Sequence, residues 1–164
     1  MSFQKQVNAN QALGNVGQIS KAHHSFLNVI PAIAADDFVK VGSFVQSSST
    51  ATNENEVIGA SGKQITGSIL GVVVRDSLKV AGDSTATLAV KKGENCAILT
   101  EGSIFIEVNV IAKKGQYVFL KTADGSLGFY NASTQNDYTY TGFRVSKGND
   151  TATAGLIEIT TARA

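Results

Sequence analysis

Along residues 103–110 the apolar positions fall on every second residue. Ile104, Ile106, Val108 and Val110 share one side, with Ser103, Glu107 and Asn109 on the other, the period-2 signature of a strand with one buried face. Phe105 interrupts the polar side and marks it for a second contact. Residues 85–90 alternate similarly, with Ala86, Leu88 and Val90 inward, and Ile157 and Ile159 alternate with Glu158 and Thr160. Further strands are predicted at 38–45, 65–75, 116–120, 127–130 and 138–145. The run Ile69-Leu70-Gly71-Val72-Val73-Val74 is the most continuously apolar and reads as a central strand buried on both faces. Turn signals recur at Gly82-Asp83, Gly93, Glu101-Gly102, Asp124-Gly125 and Gly148-Asn149-Asp150, the spacing of a compact barrel or sandwich. Pro31 suits an edge or entry strand. The polar stretches 47–55 and 132–137 read as loops.

Two stretches run in near parallel. One is KKGENCAILT-EGSI from Lys91, the other KKGQYVFLKT-ADGSL from Lys113, which carries one extra residue before its second glycine. Each reads as a strand, a tight turn at Glu-Gly or Asp-Gly, and a returning strand. The predicted fold is therefore all-β, a compact barrel or sandwich built from hairpins.

Residues 1–25 differ. Gln4, Gln6, Asn8, Asn10, Gln11, Asn15 and Gln18 are spread between the single apolar residues Phe3, Val7, Leu13, Val16 and Ile19. Neither a helical nor a strand period persists, and Gly14 and Gly17 disfavour a helix. An extended N-terminal arm over 1–25, followed by one β-rich domain over 26–164, is the expected organisation. The five apolar residues of the arm are the candidate contacts with another subunit.

Composition narrows the function. The 164 residues carry a formal charge of +1, and only 16% are charged, against roughly 25% in ordinary soluble chains. A surface so poor in solvated charge is expected to self-associate. No basic patch is large enough to neutralise a nucleic-acid backbone, and the paired lysines read as guards at turns and strand ends. No apolar run approaches the ~20 residues of a membrane span. The start, MSFQKQVNANQ, lacks the apolar core of a signal peptide, so synthesis in a cytoplasm is expected. The sequons at Asn131 and Asn149 are then without consequence.

The chain offers no catalytic constellation. The lone Cys96 sits in a predicted strand as a buried thiol. His23 and His24 point to opposite sides of an extended segment and have no third ligand, so no metal site is expected. Asp36-Asp37 ends a turn, and Arg75-Asp76 reads as a local ion pair. Phosphate loops, nucleophile elbows and zinc-protease motifs are absent from the sequence. No cofactor is implied. Phe129, Tyr130, Tyr138 and Tyr140 are near enough in sequence to form a small aromatic cluster.

Several segments carry a resemblance. They are Ser2-Phe3-Gln4 to Val7-Asn8-Ala9-Asn10-Gln11-Ala12, the Gly14 and Gly17 pair, and Val41-Gly42-Ser43-Phe44-Val45. Gly71-Val72-Val73-Val74-Arg75, Ile98-Leu99-Thr100-Glu101-Gly102-Ser103-Ile104 and Gly115-Gln116-Tyr117-Val118 with Asp124-Gly125 complete the set. In this order, along nearly the whole chain, they resemble the structural cement (capsid decoration) proteins of tailed bacteriophages. The resemblance implies a non-enzymatic, β-barrel-like virion protein on the capsid exterior, made in the host cytoplasm. Its implied partners are the major capsid protein and itself, as a homotrimer. Two other readings stay open: a minor virion component (head fibre, tail or fibre base), and a carbohydrate-binding β module using Tyr130, Tyr138 and Tyr140.

Overall fold

The computed structural model describes residues 14–20, 27–48, 53–75, 88–149 and 155–161. These hold ten strands: β1 (Asn28–Ala34), β2 (Phe44–Ser47), β3 (Glu56–Gly59), β4 (Ile69–Val73), β5 (Asn95–Glu101), β6 (Ser103–Val108), β7 (Tyr117–Lys121), β8 (Leu127–Tyr130), β9 (Tyr138–Lys147) and β10 (Gly155–Thr160). The first five close into a barrel in the order β1-β3-β2-β4-β5, and the last five form an open sheet in the order β6-β10-β9-β7-β8. The all-β class expected from the sequence is what the chain adopts.

The barrel wall explains the continuously apolar run. Along β2, β4 and β5, neighbouring residues serve different cores. Val45, Val73 and Ile98 line the barrel interior with Ala32, Ala34, Val39, Val57 and Val90. Phe44, Val72 and Leu99 face outward into a second core, shared with Ile104, Ile106, Val118, Leu120, Phe143, Val145, Ile157 and Ile159 of the open sheet. Burying a side chain of this kind stabilises by about 1.5–3 kcal/mol, so the shared core fastens the sheet to the barrel. Pro31 lies in β1, which pairs with β3 only at Ile33 and Ala34. Its missing N–H therefore costs no ladder bond on that side.

The Lys-Lys-Gly pairs prove to be one turn used twice. Lys91 N–H donates to Glu94 Oε2 (3.3 Å) and Lys113 N–H to Gln116 Oε1 (2.7 Å). In return, Glu94 N–H reaches Lys91 O (3.0 Å) and Gln116 N–H reaches Lys113 O (3.2 Å). Gly93 and Gly115 supply the left-handed backbone this requires, at φ 85° and 89°.

After the shared turn, the two units diverge. The second closes a hairpin as expected. Asp124 Oδ1 accepts from Ser126 N–H (3.0 Å) and Ser126 Oγ (2.7 Å), and β7 pairs with β8. The first unit is no hairpin. β5 pairs with β1 and β4 in the barrel, whereas β6 pairs with β10 in the sheet. Gly102 is the corner between them, held by Thr161, whose Oγ1 accepts Gly102 N–H (2.7 Å). Without the residue that the second unit gains at Ala123, the chain turns from one sheet into the other.

Residues 38–43 also depart from the expected strand. Asp36 Oδ1 accepts Phe38 N–H (3.0 Å), and Ser43 N–H and Oγ both donate to Lys40 O (3.0 and 2.7 Å). These local bonds fold the segment into turns, and β2 begins only at Phe44. The alternation there arose because Val39 drops into the barrel core from a turn. Val110 leaves the Ile104–Val108 row and is exposed, since β6 stops at Val108. Ala86 and residues 49–52 of the polar stretch 47–55 lie outside the described residues.

Candidate interaction surfaces

The described part of the N-terminal segment is a stitch across both sheets. Gly17 N–H donates to Phe105 O (2.8 Å), Phe105 N–H to Gln18 O (3.0 Å), and Ser20 N–H to Ser103 O (2.8 Å). Ile19 bridges Ile104 antiparallel and packs against the shared core. The stitch thereby covers the outer edge of β6, which would otherwise present unpaired backbone groups. On its other side, Arg75 N–H donates to Gly17 O (2.8 Å), tying the same residue to the end of β4. Gly17 has φ 73° and abuts Gly42, at φ 75°; a Cβ at Gly17 would collide with Val41 Cγ1, and one at Gly42 with Val16 Cγ1. Two glycines are needed where the backbones come this close.

Of the five apolar candidates from the arm, the structure thus places Val16 against Gly42 and Ile19 against the shared core. Phe3, Val7 and Leu13 lie outside the described residues, as do His23 and His24.

The aromatic cluster is real and larger than its sequence suggested. Register puts Tyr117, Phe119, Tyr130, Tyr138, Tyr140 and Arg144 on the outer face of the second sheet. Phe119 is buried at the centre, with Tyr130 5.7 Å and Tyr140 5.4 Å away between ring centroids. Tyr130 and Tyr138 meet edge to face at 5.1 Å. Their hydrogen bond, with burial next, raises the Tyr130 pKa above its ordinary value. Arg144 stacks over Tyr117 (4.2 Å to the centroid) and donates through Nη2 to its hydroxyl (2.7 Å). Of the five rings only Tyr140, at 40%, is exposed. Phe129 instead turns inward and packs on the shared core. The addition of Tyr117 and Phe119 could not be read from spacing, because β7 reaches the cluster through pairing, whereas Arg144 shares β9 with Tyr138 and Tyr140.

Elsewhere, large apolar side chains stand in solvent. Leu27 (55% exposed) and Val29 flank the start of β1, Phe38 (49%) follows its end, and Val110 and Ile111 follow β6. Phe38 is set by its surroundings: Lys63 Nζ sits 4.3 Å over its ring and pairs with Asp36 Oδ2 (2.5 Å). Asp36, expected to end a turn, instead opens one by accepting Phe38 N–H, and adds this ion pair. Cys96 is half-buried against the barrel core. Among the described residues no three His, Cys, Asp or Glu side chains come together as metal ligands.

Barrel, sheet and stitch define an all-β protein whose surface offers apolar and packed aromatic side chains. Comparison then gives its family. The model of the structural cement protein family (E217 gp24/Pam3 gp6) matches residues 3–162, and the chain belongs to that family. Among solved structures, a chain from the capsid of Myoviridae phage XM1 is similar at a TM-score of 0.61 and 14% identity, covering 99% of this chain and 99% of that one. At that identity the likeness is one of fold. No curated protein matches.

Proposed function

We propose that this chain is a non-enzymatic virion protein that binds the outer surface of a phage capsid and cements the shell of major capsid protein. The family match across residues 3–162 carries this reading. The surface is consistent with it. Exposed Leu27, Val29, Phe38, Val110 and Ile111 on a body of low charge suit burial against a protein partner more than isolation in solvent. Repeated over a symmetric shell, many modest contacts gain strength by multivalency. A homotrimer fits such a lattice. Phe3, Val7 and Leu13 are the proposed contacts of the arm, which Val16 and Ile19 hold to the body.

Purified particles test the proposal through copy number. A ratio to the major capsid protein approaching one, with lower heat resistance when the protein is missing, is the expected result. A few copies per particle would instead place the chain at a vertex, tail or fibre. Absence from particles would overturn the virion reading. The glycan-binding alternative gains little from the aromatic face, since stacking platforms need open rings, whereas Phe119 is buried and Tyr117, Tyr130 and Tyr138 are half-buried.

A further inference from the structure

The segment between β6 and β7 carries two aliphatic side chains out into solvent, Val110 at 38% and Ile111 at 46% exposed. Three hydrogen bonds from one residue beyond β9 hold it there. Asn149 accepts Ala112 N–H through Oδ1 (2.8 Å) and donates through Nδ2 to Val110 O (3.3 Å), and its own N–H donates to Ala112 O (2.9 Å). Gly148 packs so closely that a Cβ there would collide with Ala112 O. Ala112 is fully buried as a result, and Val110 and Ile111 are presented on a fixed backbone.

Lysines surround this apolar pair. Lys113 and Lys114 follow it directly, and the contact of Gly148 with the Lys113 backbone brings Lys147 to the same end of the sheet. All three are exposed. The ion pairs among the described residues, Lys63–Asp36 and Lys121–Asp124, include none of them. Glu158 stands opposite Lys147 in register and Glu107 lies further across, opposite Leu156, yet neither forms an ion pair with these lysines. At exposed Phe38, by comparison, the neighbouring Lys63 is already matched by Asp36.

We propose that this end of the second sheet docks an acidic segment of the shell protein, its carboxylates on Lys113, Lys114 and Lys147 and its apolar residues on Val110 and Ile111. The inference rests on the capsid-binding reading and names the chemistry of the partner. Burial of the apolar pair excludes water from around the lysines, which strengthens each charge pair above its value in solvent. A neutral partner would strip the lysines of hydration without replacing it. A second copy presenting the same face would set lysine against lysine, which is disfavoured. Because Asn149 fixes the turn beforehand, little ordering is needed on docking.

Shells purified without this protein and mixed with the full-length chain test the inference. Carbodiimide, which couples a lysine amine to a carboxylate in direct contact, should link Lys113, Lys114 or Lys147 to Asp or Glu of the major capsid protein. Raising salt from about 0.1 to 1 M shortens the screening length from about 10 to 3 Å, and binding should weaken at least about tenfold. Lys113→Glu/Lys114→Glu should lose a similar factor at the lower salt, with the salt dependence reduced. Val110→Ser/Ile111→Ser should weaken binding and keep the salt dependence. Couplings from other lysines only, or binding indifferent to both salt and charge reversal, would overturn the inference and leave capsid binding standing. A wild-type chain that does not bind shells would overturn both. Couplings from these lysines to a second copy of the chain, or sedimentation with phosphatidylglycerol vesicles in place of shells, would also overturn it, assigning the surface to self-association or to lipid.

Discussion

Gly17 and Gly62 have almost the same backbone, φ 73° and 75°, in opposite surroundings. A Cβ on Gly62 meets nothing within 4 Å, whereas one on Gly17 runs into Val41 Cγ1 and comes within 3.1 Å of the Arg75 and Gly42 nitrogens. Gly62→Ala should therefore show left-handed strain alone, about 1–2 kcal/mol. Gly17→Ala adds the collision. Its relief requires giving up hydrogen bonds to Phe105 O and from Arg75 N–H, each worth about 0.5–1.5 kcal/mol net. The expected loss at Gly17 is then about 2–5 kcal/mol, which at this size lowers Tm by about 3 °C per kcal/mol. Urea unfolding of both variants gives the comparison directly. Because Val41 Cγ1 is the nearest atom, Gly17→Ala/Val41→Ala should recover part of the loss. Equal losses at Gly17 and Gly62, or no recovery in the double variant, would refute the close approach of stitch and barrel.

Removing residues 1–13 should weaken binding to shells while leaving Tm nearly unchanged; removing 1–20 should also lower Tm by several degrees, because Ile19 and the β6 edge pairing go with it, and thermal melts of both truncations separate the two effects. Asp36→Ala should cost about 1–3 kcal/mol in urea unfolding, since Lys63 loses its partner and the amides of Phe38 and Gly59 lose an acceptor. The bonds from Ser126 hold the Asp124 pKa below its ordinary value. A depressed carboxylate supports the fold above its unfolded pKa and ceases to as pH falls through the folded one. Side-chain NMR should accordingly show the Asp124–Ser126 turn persisting to pH below the ordinary aspartate range, and Ser126→Ala should raise the titration midpoint.

Where a side chain's environment follows from its own strand, the sequence disclosed it. Ile104, Ile106 and Val108 are buried as their alternation required, and Val72 and Val73 are buried on opposite faces as the apolar run required. Local polar chemistry hid the turns at 38–43, because Val39 mimics a strand position while Asp36 and Ser43 bend the backbone. Gly102 was misread as a hairpin tip, since a sheet-to-sheet corner and a tight turn use the same residue types. Ile19 meeting Ile104, and Tyr117 joining Tyr140, depend on pairing between distant segments, which periodicity does not encode. Glu158 shows the limit most plainly: alternation put it opposite the core, but could not tell that the opposite face would be covered too.

Ser103 has the beginning of the described chain on one side and its end on the other. Ser20 donates to its carbonyl, and Thr160 is its partner on β10. β6 is therefore flanked by the first and last segments, each of which must travel far along the chain to reach it. Such pairings close large loops and form slowly. During synthesis the stitch and the barrel strands β1 to β5 emerge before β6, which then waits for β10 with that edge open. Completion of the second sheet is thus expected to be the slow step of folding, and the interval before it is when this protein is most exposed to aggregation.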